Sequence, residues 1–420
     1  MATRQASGGT LILGGGFGGA YVARYLGTRG ATIVCHENFM LFSPMLPEAA
    51  SGTLEPRHCV VPLRLMCPNA ELLLGRATAL DEEAREVTVD TEVGTYEVGY
   101  ENLVVAIGSV SRVLPIPGLA DHGLGFHDLA DAIRLRNHVL RRLEAAAAVL
   151  EPAEVERELT FVFVGAGYAG VEALGELSDL VRDALRYYPM LRDAPQHWVL
   201  ADAAPKILPE IPPRLGEYAA ELLAKRGVDI RVSTTLESAD AGAVKLSDGS
   251  TIPTRTLVWT AGVRSRPAVQ QFGLPLDERG RIKVDEFLRV EGRSNVWALG
   301  DNAAVPNLAT PDHPDPPTSQ HALRQARRLV RNLTGTLQPY RFRMLGQVAT
   351  LGRFKGVAEL PAHIPLRGYF AWWVTRSYHL YQVPTLSRKL RIVADWTIAL
   401  FFRRDIAEIS MLMDPHKLGE

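Results

Sequence analysis

Cysteine is scarce in this chain. Among 420 residues there are three, Cys35, Cys59 and Cys67, and no two form a CxxC or CxxxxC pair. An odd, unclustered set fits a reducing compartment and excludes a disulfide framework. Long apolar runs are also missing. No stretch reaches about 18 consecutive apolar residues, so no spanning helix is expected. The opening MATRQASGGT has no apolar h-region after it and reads as free of a signal peptide. Charge excess is absent as well: 46 Lys and Arg balance 47 Asp and Glu, for a net charge of -1. A nucleic-acid binder would show a basic surplus, so no nucleic-acid partner is expected. The histidines show no metal-ligand spacing, and no metal site is expected.

What remains is ordinary in bulk: 47% hydrophobic and 22% charged residues. The length exceeds what one core usually fills, so two or three domains are expected. The informative feature is glycine. TLILGGGFGGAYVARYL, from Thr10, places five glycines between an apolar strand pattern and a helical one. Gly14, Gly16 and Gly19 form GxGxxG. The first permits a tight turn, the second lets backbone approach a pyrophosphate, and the third packs helix on strand. The helix N-terminus then faces the phosphates. Gly15, Phe17 and Gly18 complete the turn. Alone the motif is weak; strand before and helix after supply its context. The acid expected on the ribose is displaced: the second strand ends TIVCHEN, which leaves Glu37 as the candidate, two residues beyond Cys35.

The pattern returns at Leu159. LTFVFVGAGYAGVEALGELSDL is again strand, glycine turn and helix, with Gly165, Gly167 and Gly170. The two motifs lie about 150 residues apart, so one architectural unit occurs twice. Here the acid is Asp202, closing WVLAD, further on than the usual ~20 residues. A carboxylate there accepts from a ribose diol and repels a 2′-phosphate, which favours NAD(H), with Lys206 nearby in sequence. Two dinucleotide sites suggest two cofactors in series, commonly a flavin and a nicotinamide. NLVVAIG and TLVWTAGV are echoing strands that end in glycine, and VWALGDNA adds one more. Asp128 is a plausible N-cap of a long helix. SQHALRQARRLVRNL reads as a basic helix whose charged run is a solvated face. The fold class is therefore α/β: two Rossmann-like domains plus a C-terminal amphipathic helical region.

LGGGFGG, LFSPMLPEAASGTLEPRH, VVAIGS, VGAGYAGVE, LVWTAGV, PPTSQHALRQ and VWALGDNA together resemble the two-dinucleotide-domain flavoprotein reductases, in particular the type II NADH dehydrogenase (NADH:quinone oxidoreductase) family. The resemblance covers nearly the whole chain. It implies an FAD-binding domain from 8–118 and 285–340, an NADH-binding domain at 119–284, and a membrane-association or dimerisation region at 341–420. It implies FAD on the first glycine motif, with Ala106 and Gly108 nearby and Asp301 on the ribitol or pyrophosphate. NADH would sit on the second motif with Gly262. Glu172 would stand on the first turn of that helix, orienting the nicotinamide or joining a proton relay, and Gln320 and Gln325 would lie by the flavin and the quinone headgroup. The reaction implied is electron transfer from NADH through FAD to a membrane quinone, without proton pumping. Three departures bear on this: Cys35 stands where an acid is frequent, Arg324 where glutamine is, and Ser319 where alanine is. The disulfide reductases of the fold carry a redox cysteine pair; FMLFSPMLPEAASG has none, so a thiol relay is not expected.

Between Arg367 and Arg404 seven basic residues face Asp395 alone. Leu390, Val393, Trp396 and Leu400 recur at helical steps, as do Tyr369, Trp373 and Leu380 upstream of Pro384. Tryptophan and arginine on amphipathic helices read as an interfacial anchor, or as a pair packed on the core or on a second subunit. The expected partners are a quinone, a membrane surface on the cytoplasmic side of the cell membrane, and a second copy in a homodimer. Two other readings stay open: a soluble FAD-dependent NAD(P)H reductase with a protein or oxygen acceptor, and an NADH-sensing scaffold.

Overall fold

A computed structural model describes residues 2–408. The last twelve residues of the expected C-terminal region lie outside the described ones. By contacts the chain forms two compact units. The first comprises Met1–Phe42, Val60–Val110 and Val263–Met344; the second comprises Ser43–Cys59, Ser111–Gly262 and Leu345–Glu420. The short segment 43–59 and the C-terminal helices thus both sort with the second unit.

The first unit is built on a five-stranded parallel sheet. Its order is Val296–Ala298, Asn102–Val105, Thr10–Leu13, Ala31–Cys35, Ala70–Leu74. The strand carrying the glycine turn is central, so it is covered on both faces and buried at every position; after Thr10 it is apolar, and Leu11, Ile12 and Leu13 are fully buried. Each such side chain contributes about 1.5–3 kcal/mol on burial. The helices Phe17–Leu26 and Ser319–Thr334 pack together beside it. The second helix is arginine-rich on its outer face, with Arg327 and Arg331 exposed, as its sequence predicts. Glu86–Thr91 and Gly94–Gly99 belong to a separate four-stranded sheet.

The second unit repeats the plan. Its parallel sheet runs Gly123–Gly125, Thr256–Trp259, Thr160–Val164, His197–Ala201, Val228–Arg231. Thr160–Val164 is again central and buried throughout. Trp198 stacks on Phe161 with ring centroids 4.4 Å apart. The long helix Leu129–Ala148 starts at Asp128 in a capping box completed by Asp131, so the N-cap read from sequence is present. The tail forms two helices, Gly368–Gln382 and Leu386–Phe401, on either side of Pro384. No helix among the described residues is long and apolar enough to cross a membrane.

Candidate functional site

Each unit carries one glycine turn, and the two are built alike. In the first, Gly14 has φ +106°, and a Cβ there would stand 2.2 Å from the Ala106 carbonyl oxygen. A Cβ on Gly19 would stand 1.9 Å from the Gly14 carbonyl oxygen. Both positions are closed to any side chain. Gly16 between them meets nothing within 4 Å. The helix that follows has Gly16 as N-cap with no side-chain cap, so its first N–H groups are left for an anion. Closed outer glycines, an open middle one and uncapped donors fit the pyrophosphate of a dinucleotide such as FAD. Gly15 packs toward Cys35 and Leu63, Gly18 toward Leu299, and Phe17 tilts onto Phe42 at 5.5 Å.

Two further turns belong to this site. Gly300 takes φ +73° and opens a tight turn through Asp301 and Asn302. Buried Asn302 accepts from the Gly108 N–H (2.9 Å) and donates to the Val105 carbonyl (3.1 Å). Asp301 accepts from the Ser109 hydroxyl at 2.7 Å. Ala106 to Gly108 and Asp301 are thereby tied into one bracket. Sequence reasoning named Ala106, Gly108 and Asp301 but missed Asn302 and Ser109. The signal for Asn302 was present, as the polar residue directly after Gly-Asp.

The ribose acid of this unit stays displaced. Cys35 is buried against the turn, with the Gly15 and Glu37 N–H groups directed at its sulfur, and burial raises the thiol's pKa. Glu37 is exposed two residues on. Gln320 sits in the first turn of the Ser319–Thr334 helix. Gln325, expected by the quinone headgroup, lies in the second turn of the same helix. It is buried, its Oε1 accepts from the Gly300 N–H (2.8 Å), and its Nε2 donates to Asp315 (2.9 Å). Each end of its amide thus has one protein partner, because its place in the second turn of the helix faces the Gly300 turn.

In the second unit Gly165 has φ +113°, and its Cβ would stand 2.6 Å from the Thr260 carbonyl carbon. A Cβ on Gly170 would stand 1.9 Å from the Gly165 carbonyl oxygen, and Gly167 meets nothing within 4 Å. Thr260 Oγ1 donates to the Gly165 carbonyl at 2.9 Å and braces the turn. Gly262, at φ +87°, has open space where a Cβ would be. Asp202 accepts from the Ala166 N–H through one oxygen and from the Ala204 N–H (2.7 Å) through the other. The acid therefore shapes the glycine turn as well as standing at the strand end; each oxygen retains a second lone pair for a ribose hydroxyl.

Glu172 is the fifth residue of the Tyr168–Ala184 helix, whose first turn holds no acid. It lies one turn further along than expected, because Gly167 caps the helix and Tyr168 starts it. The helix-dipole explanation of its presence weakens accordingly. Glu172 is buried, and its Oε1 accepts from Thr350 N–H (2.8 Å) and Oγ1 (3.1 Å). Burial pushes its carboxyl up to about 8, against the pull of the Thr350 bonds and with Glu176 and Glu48 adding to the rise. Those two neighbours are differently served. Glu176 is buried with Arg404 at 2.7 Å and Ser51 at 2.9 Å. Glu48, on the short helix Leu46–Ala50, binds Arg376 at 2.9 Å and the Trp396 indole N–H. The Arg376 guanidinium lies over both Trp372 (4.2 Å) and Trp396 (4.7 Å). Of three neighbouring buried carboxyls, two have a cation, and Glu172 has, among the described residues, hydroxyl and amide donors alone.

The same contacts fix the tail helices. Trp396 is half-buried because it reaches Glu48, so it leaves the expected outer stripe. Leu390, Val393 and Leu400 remain exposed, as do Tyr369 and Trp373, with Phe370, Tyr381 and Phe401 beside them. Leu380 is half-buried.

Residues 9–326 match the family model for pyridine nucleotide-disulphide oxidoreductases. The chain is 29% identical over 416 residues to the type II NADH:quinone oxidoreductase Ndh of Mycobacterium tuberculosis, covering 94% of this chain and 88% of that one. It is 30% identical over 404 residues to the demethylphylloquinone reductase NdbB of Synechocystis, covering 92% and 94%. Its fold matches NDH2 of Plasmodium falciparum, solved in complex with NADH, with TM-score 0.88, 18% identity and coverage of 96% and 99%.

Proposed function

The chain belongs to the pyridine nucleotide-disulphide oxidoreductase family, and within it we propose an NADH:quinone oxidoreductase that holds FAD on Gly14–Gly19 and takes NADH on Gly165–Gly170. The observation that carries this is the doubled cradle: in each unit two glycines are closed to a Cβ and the middle one is open. When bound, FAD supplies a carrier that accepts a hydride and returns electrons to an acceptor. The protein's part is to hold and to manage protons. The Asn302 bracket and Asp301 hold the flavin side, and Gly167 and Asp202 hold the nicotinamide dinucleotide. Glu172 retains its proton through neutral pH and so offers a hydroxyl donor, or a proton, in the NADH-binding unit.

The absence of a cysteine pair supports an acceptor other than a disulfide, and the names of the relatives support a quinone as that acceptor; Gln320, in the first turn of its helix, is the contact this reading assigns to it. Exposed Phe370, Tyr381 and Phe401 on the tail helices, with Phe402 directly after the second, support attachment to a bilayer surface without a span. Basic residues favour an anionic, cytoplasmic leaflet. Electron transfer then proceeds without proton pumping, and assembly as a homodimer is part of the same reading. Purified protein mixed with NADH and a short-chain quinone tests it. NADH should bleach the flavin absorption and quinone should restore it with steady turnover. A flavin that NADH reduces and no quinone re-oxidises would refute the acceptor.

A further inference from the structure

Asp315 lies in the proline-rich stretch PDHPDPP, which reads as a polar surface break, yet its side chain is buried in the first unit. Four side-chain donors converge on it. Asn307 Nδ2 donates to one oxygen at 2.8 Å; Gln325 Nε2 (2.9 Å) and His321 Nδ1 (2.6 Å) meet the other. The Tyr340 hydroxyl also donates to this carboxylate. A carboxylate has about four lone-pair positions, so this one is saturated.

The consequence is a polarity imposed at a distance. An ionised carboxylate only accepts, so the Gln325 amide must turn its NH2 toward Asp315 and its oxygen away. That oxygen receives the Gly300 N–H at 2.8 Å. Gly300 opens the turn in which Asn302 holds Gly108 and Val105, and Asp301 holds Ser109. We propose that Asp315 is a positioning residue for the flavin site: its charge orients Gln325, and Gln325 fixes the Gly300–Asn302 turn in its cofactor-holding form. Replacing the acid by an amide would let Gln325 rotate and release the Gly300 N–H. The inference rests on the reading of this unit as the FAD site.

The test exchanges the charge along the link. Flavin retention after gel filtration, the dissociation constant of added FAD and the visible spectrum of bound flavin are measured for wild type, D315N, Q325E and the double variant. D315N and Q325E should each weaken FAD binding about tenfold or more, about the worth of one buried hydrogen bond. In Q325E two carboxylates face each other. In the double variant the amide at position 315 donates to a carboxylate that still accepts from Gly300, and His321, which meets the same Asp315 oxygen in wild type, takes the tautomer whose Nδ1 accepts, so binding and spectrum should return to within about threefold of wild type. Losses that multiply in the double variant, or wild-type binding in D315N, would overturn the inference. Should D315N not fold, Q325L cuts the same link without moving charge and should show the same loss; unaltered FAD binding in it would overturn the inference too. Wild-type protein that takes up no flavin would instead refute the FAD reading itself.

Discussion

Replacing Glu172 by glutamine should make the protein more resistant to alkali. The carboxyl is buried, accepts among the described residues from Thr350, and is pushed by burial up to about 8 from the ordinary 4.5. Below about pH 4.5 it is protonated in folded and unfolded chains alike and has no effect. Between about 4.5 and 8 the unfolded chain releases the proton while the folded chain keeps it. Ionisation therefore favours unfolding by up to about 1.4 kcal/mol per pH unit. By pH 8 the accumulated cost is on the order of 5 kcal/mol. The glutamine offers Thr350 the same acceptor and cannot ionise. For a chain of this size, about 2.1 cal/mol/K of unfolding entropy per residue converts that cost to about 6 °C in Tm. Thermal unfolding of apoprotein at pH 5, 6, 7 and 8 measures it: the Tm of E172Q should rise relative to wild type as pH increases. Glu176 and Glu48 are common to both proteins and cancel. Parallel Tm profiles would refute the argument. The same substitution should also remove any inflection near pH 8 from the turnover profile.

Gly16→Ala should leave apoprotein Tm within a few degrees of wild type while flavin retention falls, because its Cβ enters open space that the cofactor needs; Gly19→Ala should fail to fold or lose at least ~2 kcal/mol, its Cβ meeting the Gly14 carbonyl. Arg404→Met leaves the buried Glu176 carboxylate without its cation and should cost about 3–5 kcal/mol in denaturant unfolding, a loss that Glu176→Gln in the same chain should largely reverse. F370S combined with F401S should abolish sedimentation with anionic liposomes and keep turnover with a water-soluble quinone, since both side chains stand in solvent; sedimentation at the wild-type level would place the bilayer contact elsewhere.

The features legible in sequence were those with local causes. A left-handed glycine between a buried strand and a helix has no substitute, so Gly14 and Gly165 were visible as cradles. Asp128 capped its helix because the cap bond closes within four residues. Glu172 was visible as a candidate, but its starting turn was misplaced, since glycine at Gly167 serves as cap and not as interior. Asp315 was hidden because its donors lie at positions 307, 321, 325 and 340, and a proline-rich acidic stretch looks solvated until those elements close over it. Gln325 was singled out through a family likeness, and its partners Gly300 and Asp315 were opaque.

The amino-acid order alone settled the doubled α/β plan, the two phosphate-type turns, and the lack of a thiol pair through which electrons could pass. These follow from backbone sterics, strand burial and the presence or absence of sulfur, all of which are local. The fold settled which buried carboxyls meet a cation. Arg404 and Arg376 arrive from the tail to pair with Glu176 and Glu48, and among the described residues none arrives at Glu172. Desolvation is a property of everything packed around a group, and for Glu172 that surrounding is assembled from segments 178 residues apart.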